Sequence, residues 1–118
     1  MPEATTVFRA VDTQDFDAFA AMLAEKSTFV FGNQEPFVGI EAILAGNAAF
    51  FSSVQRTEHH INRVWTVGPT TLAETDVTYT RLDGQEVTLP ALSTWDVDEA
   101  GLITSYQVFA DLTPVFTP

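Results

Sequence analysis

The feature that most limits how this chain can fold is a change of hydrophobic period near residue 56. Upstream, apolar side chains recur at helical spacing; downstream they alternate in twos. The alternating runs fall near 57–67, 70–81, 86–96 and 102–112, separated by Gly68-Pro69, Asp83-Gly84 and Asp98-Glu99-Ala100-Gly101. Turns that short join adjacent antiparallel strands, so the spacing predicts a four-stranded meander. In the first third, Asp12 can cap a helix whose Phe16, Phe19, Ala20, Met22 and Leu23 form one stripe, and a short helix over 3–11 can precede it. Residues 28–32 read as a strand, and Ile40, Ile43, Leu44, Ala48, Phe51 and Val54 mark a second amphipathic helix. Helices first and a long meander last predict one α+β domain over 1–118. Its N-terminal helices pack on a strongly curved, mostly antiparallel sheet, a barrel-like cone with an internal pocket.

Charge and composition exclude several function classes. Sixteen acidic residues against five basic ones give a formal charge of -11. Phosphate backbones and anionic lipid heads need clustered Lys and Arg, so neither nucleic acid nor a membrane surface is an expected partner. No apolar run nears the roughly 20 residues of a bilayer span, and the first residues lack the basic and apolar parts of an export signal, which predicts a cytoplasmic protein. The chain has no cysteine, no P-loop, no dinucleotide glycine pattern and no nucleophile elbow. His59 and His60 are neighbours on a strand and point to opposite faces, so they cannot share an ion. We therefore expect neither a metal nor a cofactor.

Strand parity sorts the side chains. Carried through the Gly68-Pro69 and Asp83-Gly84 turns, it places His59, Ile61, Arg63 and Trp65 on one face with Leu72, Glu74, Asp76 and Thr78, and with Val87, Leu89, Ala91, Ser93 and Trp95. Arg63 then lies opposite Glu74 or Asp76. This face, apolar with a few polar groups, has the make-up of a binding pocket. The opposite face carries Val64, Val77, Tyr79 and Leu92 among polar residues, which predicts a homodimer through the outer sheet surface. On the last strand, regular alternation turns Tyr106, Val108 and Ala110 inward and Asp111 outward; a single bulge would reverse Asp111.

The chain resembles the nuclear transport factor 2-like superfamily, in its SnoaL-like branch. The resemblance rests on Glu35-Pro36-Phe37-Val38-Gly39 with the helix start Ile40-Glu41-Ala42-Ile43, on His59-His60-Ile61, and on Gly101-Leu102-Ile103 running to Val108-Phe109-Ala110-Asp111. It covers nearly the whole chain. Limonene-epoxide hydrolases of that superfamily use two aspartates bridged by arginine. The resemblance puts those aspartates at Asp76 and Asp111, with Glu74 in the arginine's position and Phe29 and Phe31 where that family has Tyr and Asn. Ketosteroid isomerases have two aspartates with no counterpart here, one of them falling near Ser93. SnoaL-type polyketide cyclases use an acid on the last strand, which implies Asp111 with His59 or His60 as partner.

The resulting expectation is a cofactor-free acid/base enzyme acting on a small, largely apolar carbonyl or epoxide compound. Asp111 and Asp76 would exchange protons, Arg63 and His59 would orient them, and Phe29, Phe31, Phe50, Trp65, Trp95, Ser93 and Tyr106 would line the substrate site. The competing expectation is a ligand-binding or dimerisation module without chemistry.

Overall fold

A computed structural model describes residues 2–117. Helices α1 (Ala4–Asp12) and α2 (Phe16–Ala21) open the chain. Asp15, not Asp12, caps α2 by accepting the Ala18 amide at 3.1 Å. Asp12 is instead the last residue of α1. Strand β1 (Leu23–Phe31) starts five residues earlier than its β-rich centre suggests, and a two-residue β2 (Phe37–Val38) leads into α3 (Ile40–Phe51). The meander is β3 (Val54–Val67), β4 (Thr70–Arg81), β5 (Glu86–Val97) and β6 (Ile103–Phe109), followed by a single turn, α4 (Thr113–Phe116).

These strands form one six-stranded sheet in the order β2-β1-β6-β5-β4-β3. Among the described residues only the β1–β6 pair is parallel. The edges β2 and β3 do not meet, so the sheet stays open where a barrel was expected. The helices bury their apolar stripes on one face, in a core that includes Val7, Phe8, Phe19, Ile43, Trp95 and Tyr106. Phe29, Tyr106 and Trp95 are register partners across β1, β6 and β5, and their rings stack at 5.0 and 5.4 Å. No helix among the described residues is long and apolar enough to cross a membrane.

Two irregularities set which side chains face that core. In β3 the register slips between Ile61 and Arg63, so His59 pairs with Val77 while Arg63 pairs with Glu74. A bulge of this kind puts two residues against one and reverses every side chain beyond it. At the next hairpin the loop is Leu82-Asp83-Gly84, one residue longer than the expected Asp-Gly pair. The Gly84 amide donates to the Arg81 carbonyl and the Arg81 amide to the Gln85 carbonyl, with Gly84 at φ +88°. Glycine in that left-handed region closes a three-residue hairpin loop. Thr71, Ala73, Thr75, Val77 and Tyr79 are therefore the inward positions of β4, and Thr80 beside them is buried as well.

The outer face is corrected accordingly. Val77 and Tyr79, 1% and 4% exposed, belong to the core and do not contribute to a dimer surface. On β5 the inward set Ala91, Ser93 and Trp95 agrees with the parity expected for it.

Candidate functional site

A cavity of about 800 Å³ lies between the sheet and α3. The space exists because α3 turns Ala42, Ala45, Gly46 and Ala49 toward it, side chains too small to fill the gap. At Gly46 even a Cβ would come within 2.7 Å of the Phe37 ring. The sheet supplies Phe29 and Phe31 from β1, Tyr106 from β6, Ser93 from β5, Tyr79 from β4, and Thr57 and His59 from β3. No Asp, Glu, Lys or Arg is among the described residues that line it.

The one imidazole in this cavity is held by an acid from outside it. His59 Nδ1 lies 2.7 Å from Asp12 Oδ1, and the second carboxylate oxygen accepts the His59 backbone amide at 2.8 Å. The Thr57 hydroxyl donates to Asp12 Oδ1 at 2.9 Å. Since a carboxylate only accepts, the proton on Nδ1 points to Asp12 and the lone pair of the neutral ring sits on Nε2. Nε2 has no partner among the described residues. The ring plane is fixed from one side by Phe8, stacked on it at 4.3 Å. The two side chains are 12% and 20% exposed, so the pair is shielded though not sealed.

Two phenols add to a polar lining that also includes Gln34, Asn47 and Ser53. Burial pushes the Tyr79 hydroxyl up to about 12, and the nearby Asp12 carboxylate adds to the shift. Tyr106 is raised further, first by complete burial, with a hydrogen bond to Ser93 acting the other way and Asp12 and Tyr79 adding to the rise. Both stay protonated at ordinary pH and can donate hydrogen bonds.

Residues 4–106 match the family model for the SnoaL-like domain. The chain belongs to the SnoaL-like family. Solved structures agree on the fold. A Jannaschia sp. CCS1 protein named as a SnoaL-like polyketide cyclase superposes with TM-score 0.84 at 21% identity, covering 97% of this chain and 89% of that one. A Catenulispora acidiphila protein with a ketosteroid isomerase-like fold, solved with trimethylamine, gives 0.86 at 19% identity, covering 98% and 90%. An LEH-like epoxide hydrolase from M. tuberculosis gives 0.79 at 20% identity, covering 95% and 82%. No curated protein matches the chain.

Within this SnoaL-like frame the expected site residues part company. His59, Phe29, Phe31, Phe50, Ser93 and Tyr106 all line the cavity. Trp95 lies behind them, 1% exposed in the core. Arg63 and Trp65 are turned outward by the β3 bulge, where the guanidinium stacks over the indole at 5.0 Å and pairs with Glu74 at 2.9 Å. That pairing holds the Arg63 guanidinium more firmly protonated and the Glu74 carboxyl below its usual range. Asp76 is outward too, accepting from the Asn62 amide at 3.0 Å on the exposed face. The β6 irregularity falls at its start, opposite Asp96–Val97, and the strand ends at Phe109. Asp111 therefore sits beyond it, exposed, in a local turn just before α4, where it accepts the Thr113 amide at 3.0 Å and hydroxyl at 2.6 Å. Those bonds hold its carboxyl below the ordinary value. The two aspartates expected to share the hollow lie apart, and neither lines it.

Sequence reasoning missed Asp12 as a site residue by reading it as a cap. One signal was available: an acid ending a helix faces the negative end of the dipole, and such a misfit needs compensation elsewhere. Tyr79 was missed because the β3 bulge inverts the facing of β4, whereas Thr57 shares the parity of His59 and lacked only a chemical signal of its own.

Proposed function

We propose that this chain is a cofactor-independent enzyme that moves a proton on a small, largely apolar carbonyl compound, with His59 as the base and Asp12 as its orienting partner. One observation carries the reading: Asp12 fixes Nδ1 of His59 at 2.7 Å and leaves Nε2 as the free basic atom of an otherwise uncharged cavity. Imidazole is the side chain that gains and loses a proton near neutrality. In the step we envisage, Nε2 takes a proton from the carbon beside the carbonyl and the electron pair moves to the carbonyl oxygen. The Asp12 carboxylate stabilises the imidazolium that forms. Tyr79 or Tyr106 donates an O–H bond to the oxyanion, which burial makes stronger than in water. Return of the proton to another carbon of the conjugated system is isomerisation; attack of the enolate carbon on a second carbonyl of the same molecule, whose oxygen takes the proton back from His59, is cyclisation. Epoxide opening by paired carboxylates finds no support, since Asp76 and Asp111 lie off the cavity.

The test is proton exchange. The chain is incubated in D₂O with aryl ketones such as 2-tetralone and 1-phenylpropan-2-one, and loss of the α-proton signal is followed by NMR. Exchange above buffer is expected, falling at least about 100-fold in His59→Gln, the usual scale of general-base catalysis. Equal exchange with and without protein, while the ketones still shift cavity resonances, would leave the binding-module reading, which the largely apolar lining also favours.

A further inference from the structure

A second hollow of about 320 Å³ adjoins the main cavity, and the two share Phe31, Gln34, Leu112 and Phe116. Phe116, 52% exposed with its ring edge-on to Phe50 at 6.4 Å, stands at the junction. The wall of the outer chamber is more polar than that of the inner one, adding Asn33, Asp111 and Thr113. Asp111 is the one formally charged side chain among the described residues lining either chamber. Thr113 occupies its Oδ1, whereas Oδ2 has no partner among the described residues. We propose that the outer chamber is a subsite for a cationic group, so that the ligand is an amphiphile with an apolar body in the main cavity and an ammonium end at Asp111. The proposal rests on the main cavity being the ligand site of the preceding section. The bonds from Thr113 keep the carboxyl ionised to lower pH than usual. A chain with net charge -11 also concentrates cations and repels carboxylates at its surface.

The experiment compares matched probes differing only at one end: phenylalkyl ammonium, alcohol and carboxylate, with three to six methylenes, titrated into ¹⁵N-labelled protein. Resonances of Ala91 and Ser93 report the inner chamber, and those of Asn33 and Thr113 the outer one. At the best chain length the ammonium should bind about three- to fivefold tighter than the alcohol, the scale of an exposed ion pair, and the carboxylate most weakly. Asp111→Asn keeps an oxygen to cap Thr113 and should bring ammonium and alcohol to equal affinity, as should raising ionic strength to about 0.5 M. If the three probes bind alike, or the ammonium preference survives Asp111→Asn, the cation subsite is wrong while inner-chamber shifts still uphold the ligand site. If no probe moves Ala91 or Ser93, both readings fall.

Discussion

Replacing Asp12 by alanine should be among the most damaging single changes in this fold, and its cost can be worked from the geometry. The carboxylate accepts three bonds, from the Thr57 hydroxyl and from the backbone amide and ring of His59, across 45 to 47 residues of sequence. A hydrogen bond to a charged acceptor contributes about 1.5 kcal/mol or more, and a shielded donor left unpaired adds its own penalty. Against this, alanine relieves the clash of an acid with the helix dipole, worth about 0.5 to 1 kcal/mol, and water can partly replace the lost acceptor. The balance is a loss of about 3 kcal/mol, equivalent to roughly 10 °C in Tm for a domain this size. Urea unfolding of Asp12→Ala should show that loss as a lower midpoint at unchanged m. A cycle with Thr57→Val should reveal about 1 kcal/mol of coupling, because both substitutions remove the same bond. A loss under about 1 kcal/mol, or strict additivity, would mean that the carboxylate is not the clamp described.

Three further outcomes follow from the packing. Gly46→Ala should destabilise by about 1 to 2 kcal/mol in spite of alanine's better helix propensity, because the added methyl meets Phe37 at 2.7 to 2.9 Å; thermal unfolding checks the sign. Tyr79 should ionise near pH 12, seen as a late step at 295 nm that Tyr79→Phe removes. Because its folded value lies above the ordinary 10, its contribution to stability is complete below pH 10 and is lost as pH rises through about 12. Asp76→Asn should leave ketone exchange within twofold of wild type, since Asp76 bonds Asn62 on the outer face, whereas a large fall would return it to the chemistry.

What was legible in the sequence is what depends on near neighbours. Periodicity placed α3 and the four meander strands within about three residues, and β4 over 70–81 on its observed bounds, while β1 was read five residues short and β2 not at all. Facing was not legible, because in a strand it is a running parity that one extra residue inverts. Asn62 supplies one such residue and the Leu82-Asp83-Gly84 loop another, and neither announces itself: Asp-Gly serves a two-residue loop and a three-residue loop equally well. Hence Arg63 and Asp76, rightly read as lying on paired strands, were turned to the wrong side, while His59, ahead of the bulge, was placed inward among the alternatives.

The polar centre was harder still, because it joins segments that share no local pattern. Asp12 ends a helix, His59 lies mid-strand 47 residues later, and Tyr106 follows on β6, three strands from β3 in the sheet order. Their convergence is caused by the core: Phe8, one turn before Asp12, stacks on His59 and meets Trp95 edge-on at 5.9 Å, while Trp95 stacks on Tyr106. Burying Phe8 thus carries Asp12 to β3, and the apolar packing that closes the fold also aims the carboxylate. An acid at that position is unfavourable for α1 alone and favourable only once β3 is in place. This ties formation of the site to completion of the sheet, so truncating Phe8 to alanine should loosen His59 and Asp12 together, visible as simultaneous broadening of the His59 ring and Thr57 amide signals.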